Sequence, residues 1–327
     1  MKTAIPGITG FTTTYANVGQ TSNKGIEIAL QGVLVKTRDW NVTAGFNINF
    51  NRGKVDKLAD NVTGLYGTEW ATSSTFPKSD YVLKEGRPVG LVRGLTADGF
   101  YTTDDFTYEN GVYTLKEGVA DVSSAVFPNY HLHNGMNERP AGQLAYPGMA
   151  KFKDLNDDGI INDDDVDVIG DMTPVHTGGF NINATYKNFD LGLYFNWSYG
   201  NEIYNVNKLA ALYGYKEGAV YENKLSIVKD CYKIYDVVNG ELVALTTPEQ
   251  LNAANANAKL PLAYSENGYV STLGIEDGSY LRLNTLTLGY TLPKSILQKA
   301  GISNLRVYGS IYNVFTITGY SGIDAEV

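Results

Sequence analysis

One cysteine stands in the whole chain, Cys231, so no intramolecular disulfide can staple it. Only three histidines occur, at 131, 133 and 176. His131-Leu132-His133 could present two ring nitrogens from one side of a strand, but no further His or Cys lies near in sequence. Solvent-facing loop histidines are the simpler reading. No run of 18 or more apolar residues is present, which excludes a transmembrane helix. The formal net charge is −9, so no basic footprint for nucleic acid exists. Serines, aspartates and histidines occur, but none sits in a nucleophile motif such as Gly-x-Ser-x-Gly, and nothing else points to an enzyme. Met1–Gly10 shows no secretory leader, so an exported protein of this kind would extend beyond this sequence.

Alternation fills the space those absences leave. From Trp40 to Phe50 every even position is apolar: Trp40, Val42, Ala44, Phe46, Ile48 and Phe50. The odd positions are Asn41, Thr43, Gly45, Asn47 and Asn49. A period of two over that length is a strand with one apolar face. The same pattern recurs near residues 26–34, 180–186, 189–197, 285–292 and 305–311. Segments near 88–101 and 147–153 are two further strand candidates.

A soluble β-sandwich alternates in the same way, and three features favour a membrane barrel instead. Short connections at Lys36–Asp39, Lys187-Asn188 and Pro293–Asn304 alternate with long ones at 51–178 and 199–278. The polar face is Asn, Thr, Gly and Ser with very little Lys or Glu, unlike a solvated surface. Trp40 and Phe50 bracket one apolar stripe, and Phe189 and Trp197 bracket another, as interfacial aromatic belts would. The expected fold class is therefore all-β: an incomplete antiparallel transmembrane β-barrel with long extracellular loops.

Inside the first long connection lies Asp-Leu-Asn-Asp-Asp-Gly-Ile-Ile-Asn-Asp-Asp-Asp, residues 154–165. Asp154, Asn156 and Asp158 hold positions one, three and five of a twelve-residue calcium loop. Gly159 holds six, Asn162 nine and Asp165 twelve. Hard oxygen ligands at those offsets, with the Ile160 carbonyl, predict a structural calcium site. No helix pair flanks it, so it is an insertion in a β framework. The second connection carries a short helix at 248–258. Aromatics such as Tyr66, Trp70, Phe76, Tyr81, Tyr199, Tyr204, Tyr213, Tyr215 and Tyr221 crowd both connections, where packing that keeps a long loop folded competes with stacking on a substrate.

Several blocks then converge. Lys151-Phe152-Lys153-Asp154-Leu155-Asn156-Asp157-Asp158-Gly159, Val168-Ile169-Gly170, Gly178-Gly179-Phe180 and Tyr186-Lys187-Asn188-Phe189-Asp190-Leu191 occur in order. Asn23-Lys24-Gly25-Ile26-Glu27, Leu288-Gly289-Tyr290-Thr291-Leu292-Pro293 and Asn313-Val314-Phe315-Thr316-Ile317-Thr318-Gly319 complete the set. Together they resemble the SusC/RagA family of TonB-dependent outer-membrane transporters, over its C-terminal third. The resemblance implies a location in the cell outer membrane, contact with membrane lipid, a SusD-like lipoprotein as lid, and a TonB complex acting through a plug domain. That plug and the last barrel strand have no counterpart in this sequence. It also implies active import of oligosaccharides or peptides. A soluble or surface-attached β binding module with a structural calcium is the alternative that stays open.

Overall fold

A computed structural model describes residues 2–4, 13–15, 19–59, 63–68, 70, 75–127, 139–212, 225–263, 268–298 and 301–326. Its frame is one six-stranded antiparallel sheet. The strands are β1 (Gly19–Lys36), β2 (Trp40–Leu58), β3 (His176–Tyr186), β4 (Phe189–Tyr199), β5 (Tyr280–Thr291) and β6 (Arg306–Thr318). Each pairs with its neighbour in sequence, giving an up-and-down meander from β1 to β6. The sheet is open: among the described residues β1 and β6 each have one partner strand.

Register explains the alternation. Leu30, Phe46, Phe180, Phe195, Leu283 and Phe315 face one another across the six strands in a single row. Gly32, Ala44, Ile182, Leu193, Leu286 and Ile311 form the next apolar row. Beside the first of these rows, on the other face, run Asn47, Gly179, Asn196, Arg282 and Thr316. Phe46, Ile48, Phe180, Leu191, Leu193 and Phe195 thus share one face. Asn47, Asn183, Asp190 and Asn196 share the other. A slip of one residue would exchange the two faces, so the apolar pattern fixes the pairing. Where the pairing shifts, at Asp56, Leu34 and Asn284, the strands carry bulges that add twist and curvature.

The apolar face lies bare. Ile26, Leu30, Val307, Ile311 and Ile317 are each more than half exposed. Aromatic rings stand at its two margins. Trp40 and Tyr186 lie 4.4 Å apart and Phe189 and Tyr290 4.6 Å apart at the short-turn end. Phe50, His176, Trp197 and Tyr199 stand at the other. There His176 stacks on Tyr199 at 5.0 Å and accepts a hydrogen bond from the Trp197 indole at 3.1 Å. Ten steps from Trp40 to Phe50, at about 3.4 Å each and a strand tilt of about 40°, span roughly 26 Å of height, the thickness of an outer-membrane apolar band. No described helix is long and apolar enough to cross a membrane.

The strands run further than their alternation suggests. β2 continues to Leu58 and β3 opens at His176, which trims the first long connection from 51–178 to 59–175. The second becomes 200–279 rather than 199–278. The candidates near 88–101 and 147–153 do form strands, Leu91–Gly94, Ala97–Phe100 and Ala150–Phe152. They are not barrel strands. They pair with short strands inside the connection, because their apolar side chains point into a local core.

That core is the only large one among the described residues. All its members, from Phe76 to Tyr269, belong to the two long connections and none to the six strands. The connections interlock through main-chain bonds. Val270 N–H donates to Phe76 C=O at 2.7 Å, Leu95 N–H to Val270 C=O at 2.9 Å, and Leu262 N–H to Gly148 C=O at 2.7 Å. The six strands leave an apolar face open and the loops hide theirs. Leu193→Arg, at mid-height on the bare face, should therefore cost on the order of 2–4 kcal/mol in a bilayer. Equilibrium refolding of the full-length protein into vesicles measures it, and a cost near zero would contradict the lipid-facing assignment.

Candidate functional site

Both long connections leave the same end of the sheet and form one folded unit above it. Helix α1 (Val206–Leu212) buries Leu209 and Leu212, and α2 (Pro248–Asn255) buries Leu251. The second helix lies within the expected 248–258. Thr247 caps it, accepting from Gln250 N–H, while the Gln250 side chain returns to Thr247 N–H at 3.2 Å. Gly148 is indispensable at the junction: its φ is +94°, and a Cβ there would fall 2.5 Å from the Tyr232 ring. Four of the aromatics named from sequence, Phe76, Trp70, Tyr81 and Tyr204, pack here. Phe76 is buried, and Trp70 and Tyr81 meet Tyr204 edge-on at 5.9 and 6.2 Å. Tyr213, Tyr215 and Tyr221 lie outside the described residues, as do His131 and His133.

Cys231 is buried in this unit, and burial, with Asp230 adding to it, pushes its thiol up to about 11. That disposes it to packing and not to reactivity at neutral pH.

The loop of residues 154–165 is tied by its own amides. Asp154 accepts from Gly159 N–H at 2.7 Å and Asp158 N–H at 3.3 Å. Asp158 accepts from Ile160 N–H at 2.9 Å and from the Asn156 amide at 3.0 Å. Asp165 is fully buried, with one oxygen accepting from Leu155 N–H at 2.7 Å and the other from Asn162 N–H at 2.8 Å. The Asn162 side chain accepts from Asp164 N–H and donates to the Ile160 carbonyl at 3.2 Å. Gly159 makes the turn with φ +84°, and Asp157 beside it has φ +57°. The six predicted ligands therefore fall in one small loop of hard oxygens, the right chemistry for calcium. Among the described residues, no three Asp, Glu, His or Cys side chains converge to hold a metal, and these oxygens already serve backbone donors.

Sequence reasoning missed the charges that tie the residues after β6 to the wall. Arg282 sits in the polar row of β5, and its side chain is only 8% exposed. It donates to Thr316 Oγ1 at 3.0 Å, to Glu326 at 2.6 Å and to Asp324. A buried arginine on a strand's polar face was a usable clue, because an unpaired charge there is costly. The same segment is joined to the cap: Glu276, paired with Lys208 of α1 at 2.9 Å, accepts from Ser321 N–H at 2.8 Å.

An open meander with a bare apolar belt, aromatic margins, a polar inner face and a folded cap at one end defines a segment of an outer-membrane β-barrel. No family model matches the chain. It is 29% identical over 98% of its length to TonB-dependent receptor P3 of Formosa agariphila, and 27% identical over 99% to that organism's TonB-dependent receptor P39. TonB-dependent receptor SusC of Bacteroides thetaiotaomicron is 25% identical over 95% of the chain. The solved structure of the RagAB peptide transporter shares the fold, with a TM-score of 0.64 at 23% identity over 99% of the chain. The chain spans under a third of each: 27% of receptor P3, 29% of receptor P39, 24% of SusC and 29% of the RagAB chain. The chain is thus similar over nearly its whole length to TonB-dependent receptors of the outer membrane, SusC among them, and shares the fold of the RagAB transporter.

One pair inside the folded unit gives a pH signature. Burial alone would raise the Asp105 carboxyl, but the Lys151 ammonium at 2.7 Å and the Thr102 N–H and hydroxyl outweigh it and hold it below the ordinary 3.8. A depressed folded value means that the unfolded chain binds the proton more readily. The stabilisation is therefore complete above 3.8 and disappears as the pH falls through the lower folded value. Asp105→Asn should cost the loop unit about 1–2 kcal/mol at neutral pH. The difference from wild type should close only in strong acid, read from amide hydrogen exchange across 101–152 as a function of pH. A difference that already closes at pH 5 would be inconsistent with this pairing.

Proposed function

We propose that this chain forms wall and outer mouth of an active importer of oligosaccharides or peptides, energised through TonB and working with a SusD-like surface lipoprotein. The observation that carries the proposal is the separation of the two hydrophobic systems. One is an apolar belt that nothing among the described residues covers, suited to lipid. The other is a cored cap built from both long connections at one end of the wall. On this reading the connections, 51–178 and 199–278 at their widest, are extracellular and the short turns periplasmic. The solved structure that shares this fold is a peptide transporter, and that agrees with transport as the activity. The family resemblance implies oligosaccharides as well as peptides, so both cargo classes stay within the proposal. A soluble β binding module is disfavoured by the same bare belt, which would sit in water.

On this reading helices α1 and α2 offer the cap's seat for a lid. Deleting 205–265 from the full-length protein should leave barrel assembly intact while weakening co-purification of the lipoprotein and growth on the cognate nutrient. Surface connections tolerate loss better than strands do. Normal growth together with normal co-purification, in a correctly assembled deletion mutant, would remove the cap from the mechanism.

Calcium at Asp154, Asn156, Asp158, the Ile160 carbonyl, Asn162 and Asp165 is part of the proposal, in a structural role. Each oxygen keeps a lone pair beyond the amide it already serves. Calcium should raise the unfolding temperature of the cap, and Asp158→Ala should abolish that increment without altering the barrel. Equal unfolding temperatures with calcium and with chelator in the wild type would dispose of the site.

A further inference from the structure

A cleft of about 360 Å³ lies where the strands meet the first long connection, a volume on the scale of a small-ligand site. The strands contribute Asn23 of β1 and Asn49 and Asn51 of β2, and the connection contributes Pro88, Val89 and Pro174. Register sets where the three asparagines point. Asn49 and Asn51 follow Asn47 along the polar inner face in steps of two residues. Asn23 pairs with Gly53, the next inner position of β2. Asn49 and Asn51 are therefore about 7 Å apart along one strand, and Asn23 is diagonal to Asn51.

All three asparagines are exposed, and among the described residues none of their carboxamides has a hydrogen-bond partner. Nearer the middle of the same wall the asparagines are committed. Asn183 donates to Asn181 at 3.2 Å and accepts from the Tyr194 hydroxyl at 3.2 Å, and Asn196 donates to the Tyr280 hydroxyl at 3.2 Å. Charge at the cleft is sparse. Lys54 also lines it, and Asp56 neutralises that ammonium at 3.2 Å. Glu27 faces Asn49 across β1 and β2 on the inner side and takes part in no ion pair among the described residues. No cation shares that face over 23–31, 45–53 and 177–183. The cleft thus offers free carboxamides, an apolar side with Val89 more than half exposed, and a lone negative charge at its edge.

We propose that this cleft is a cargo subsite for an uncharged oligosaccharide, with sugar hydroxyls on Asn23, Asn49 and Asn51 and a C–H face of the sugar against Pro88, Val89 and Pro174. Each carboxamide carries two donors and an acceptor, which suits hydroxyls that both give and take a hydrogen bond. An extended peptide is the poorer fit. At Asn49 β2 is paired on both sides, so no main-chain edge is open there to strand addition. Glu27 repels sugars that bear carboxylate or sulfate. The inference rests on the import reading and narrows its cargo to one class.

Growth of the encoding bacterium on single nutrients tests it. A strain without the gene identifies the cargo as the nutrient it can no longer use, and that nutrient should be an uncharged oligosaccharide. The double variant Asn49→Ala, Asn51→Ala of the full-length protein should raise the concentration of that oligosaccharide needed for half-maximal growth. The expected rise is about 10- to 30-fold, the scale of two lost neutral hydrogen bonds, with the maximal rate unchanged. Heat-modifiable electrophoretic mobility in the same cells reports barrel assembly, so a lost subsite is distinguished from a barrel that never inserts. An unchanged half-maximal concentration in an assembled double variant would overturn the inference, as would a cargo that proves to be a peptide or an acidic glycan. A gene deletion that costs the cell no nutrient would instead remove the import reading on which the inference stands.

Discussion

Nothing among the described residues covers the apolar face of the six strands, and hydrocarbon is the covering that suits it. In a bilayer interior, backbone N–H and C=O groups find no water, so each must be met by a neighbouring strand. The meander from β1 to β6 meets this for its four inner strands by sequence-adjacent pairing alone. The cost of that solution is that the sheet has no core of its own. Its polar side, lined by Asn47, Asn181, Asn183 and Asn196, offers little to bury. The large hydrophobic core lies in the connections, where Tyr101, Tyr113, Tyr146, Leu91 and Leu209 are fully enclosed.

The division of labour joins the chemistry of the site to the frame. A cap assembled from two connections distant in sequence needs specific meeting points, and they are main-chain bonds at Phe76, Leu95 and Gly148 together with the Tyr232 ring. The residues after β6 bridge it to the wall, and there charge replaces apolar contact. Arg282 of β5 holds Glu326 and Asp324 of that segment, and Glu276 of the cap, paired with Lys208, accepts from its Ser321 N–H. Ion pairs suit that position, because the inner wall must remain wettable for cargo to pass. The same separation by height governs the outer surface, where rings give way to Lys24 and Arg52 within two residues.

Much of the frame was legible because period two is a local property. Trp40 to Phe50 announces its strand without reference to any other residue, and Lys187-Asn188 announces the turn that follows β3, with Lys187 at φ +51°. Strand ends were less legible. Past Phe50 the alternation continues through Arg52, Lys54 and Asp56, whose charges resemble a loop although the strand stays paired with β1. The loop unit was least legible. Leu91–Gly94 and Ala150–Phe152 look like barrel strands, and only the long-range contacts that enclose them distinguish the two. The 154–165 loop was legible as a spacing. Its internal amide bonds, and the burial of Asp165, depend on the surrounding fold and had no trace in the spacing. Arg282 was overlooked for a related reason: its carboxylate partners lie more than forty residues away.

The central claim is that alternate residues of one strand meet lipid and lumen. Single cysteines at successive positions 190 to 196 of β4, in the full-length protein and with the buried Cys231 retained, can be labelled with a fluorophore and exposed to brominated lipid. The account predicts strong quenching at 191, 193 and 195 and weak quenching at 190, 192, 194 and 196. Uniform quenching along the strand, or the opposite phase, would contradict it.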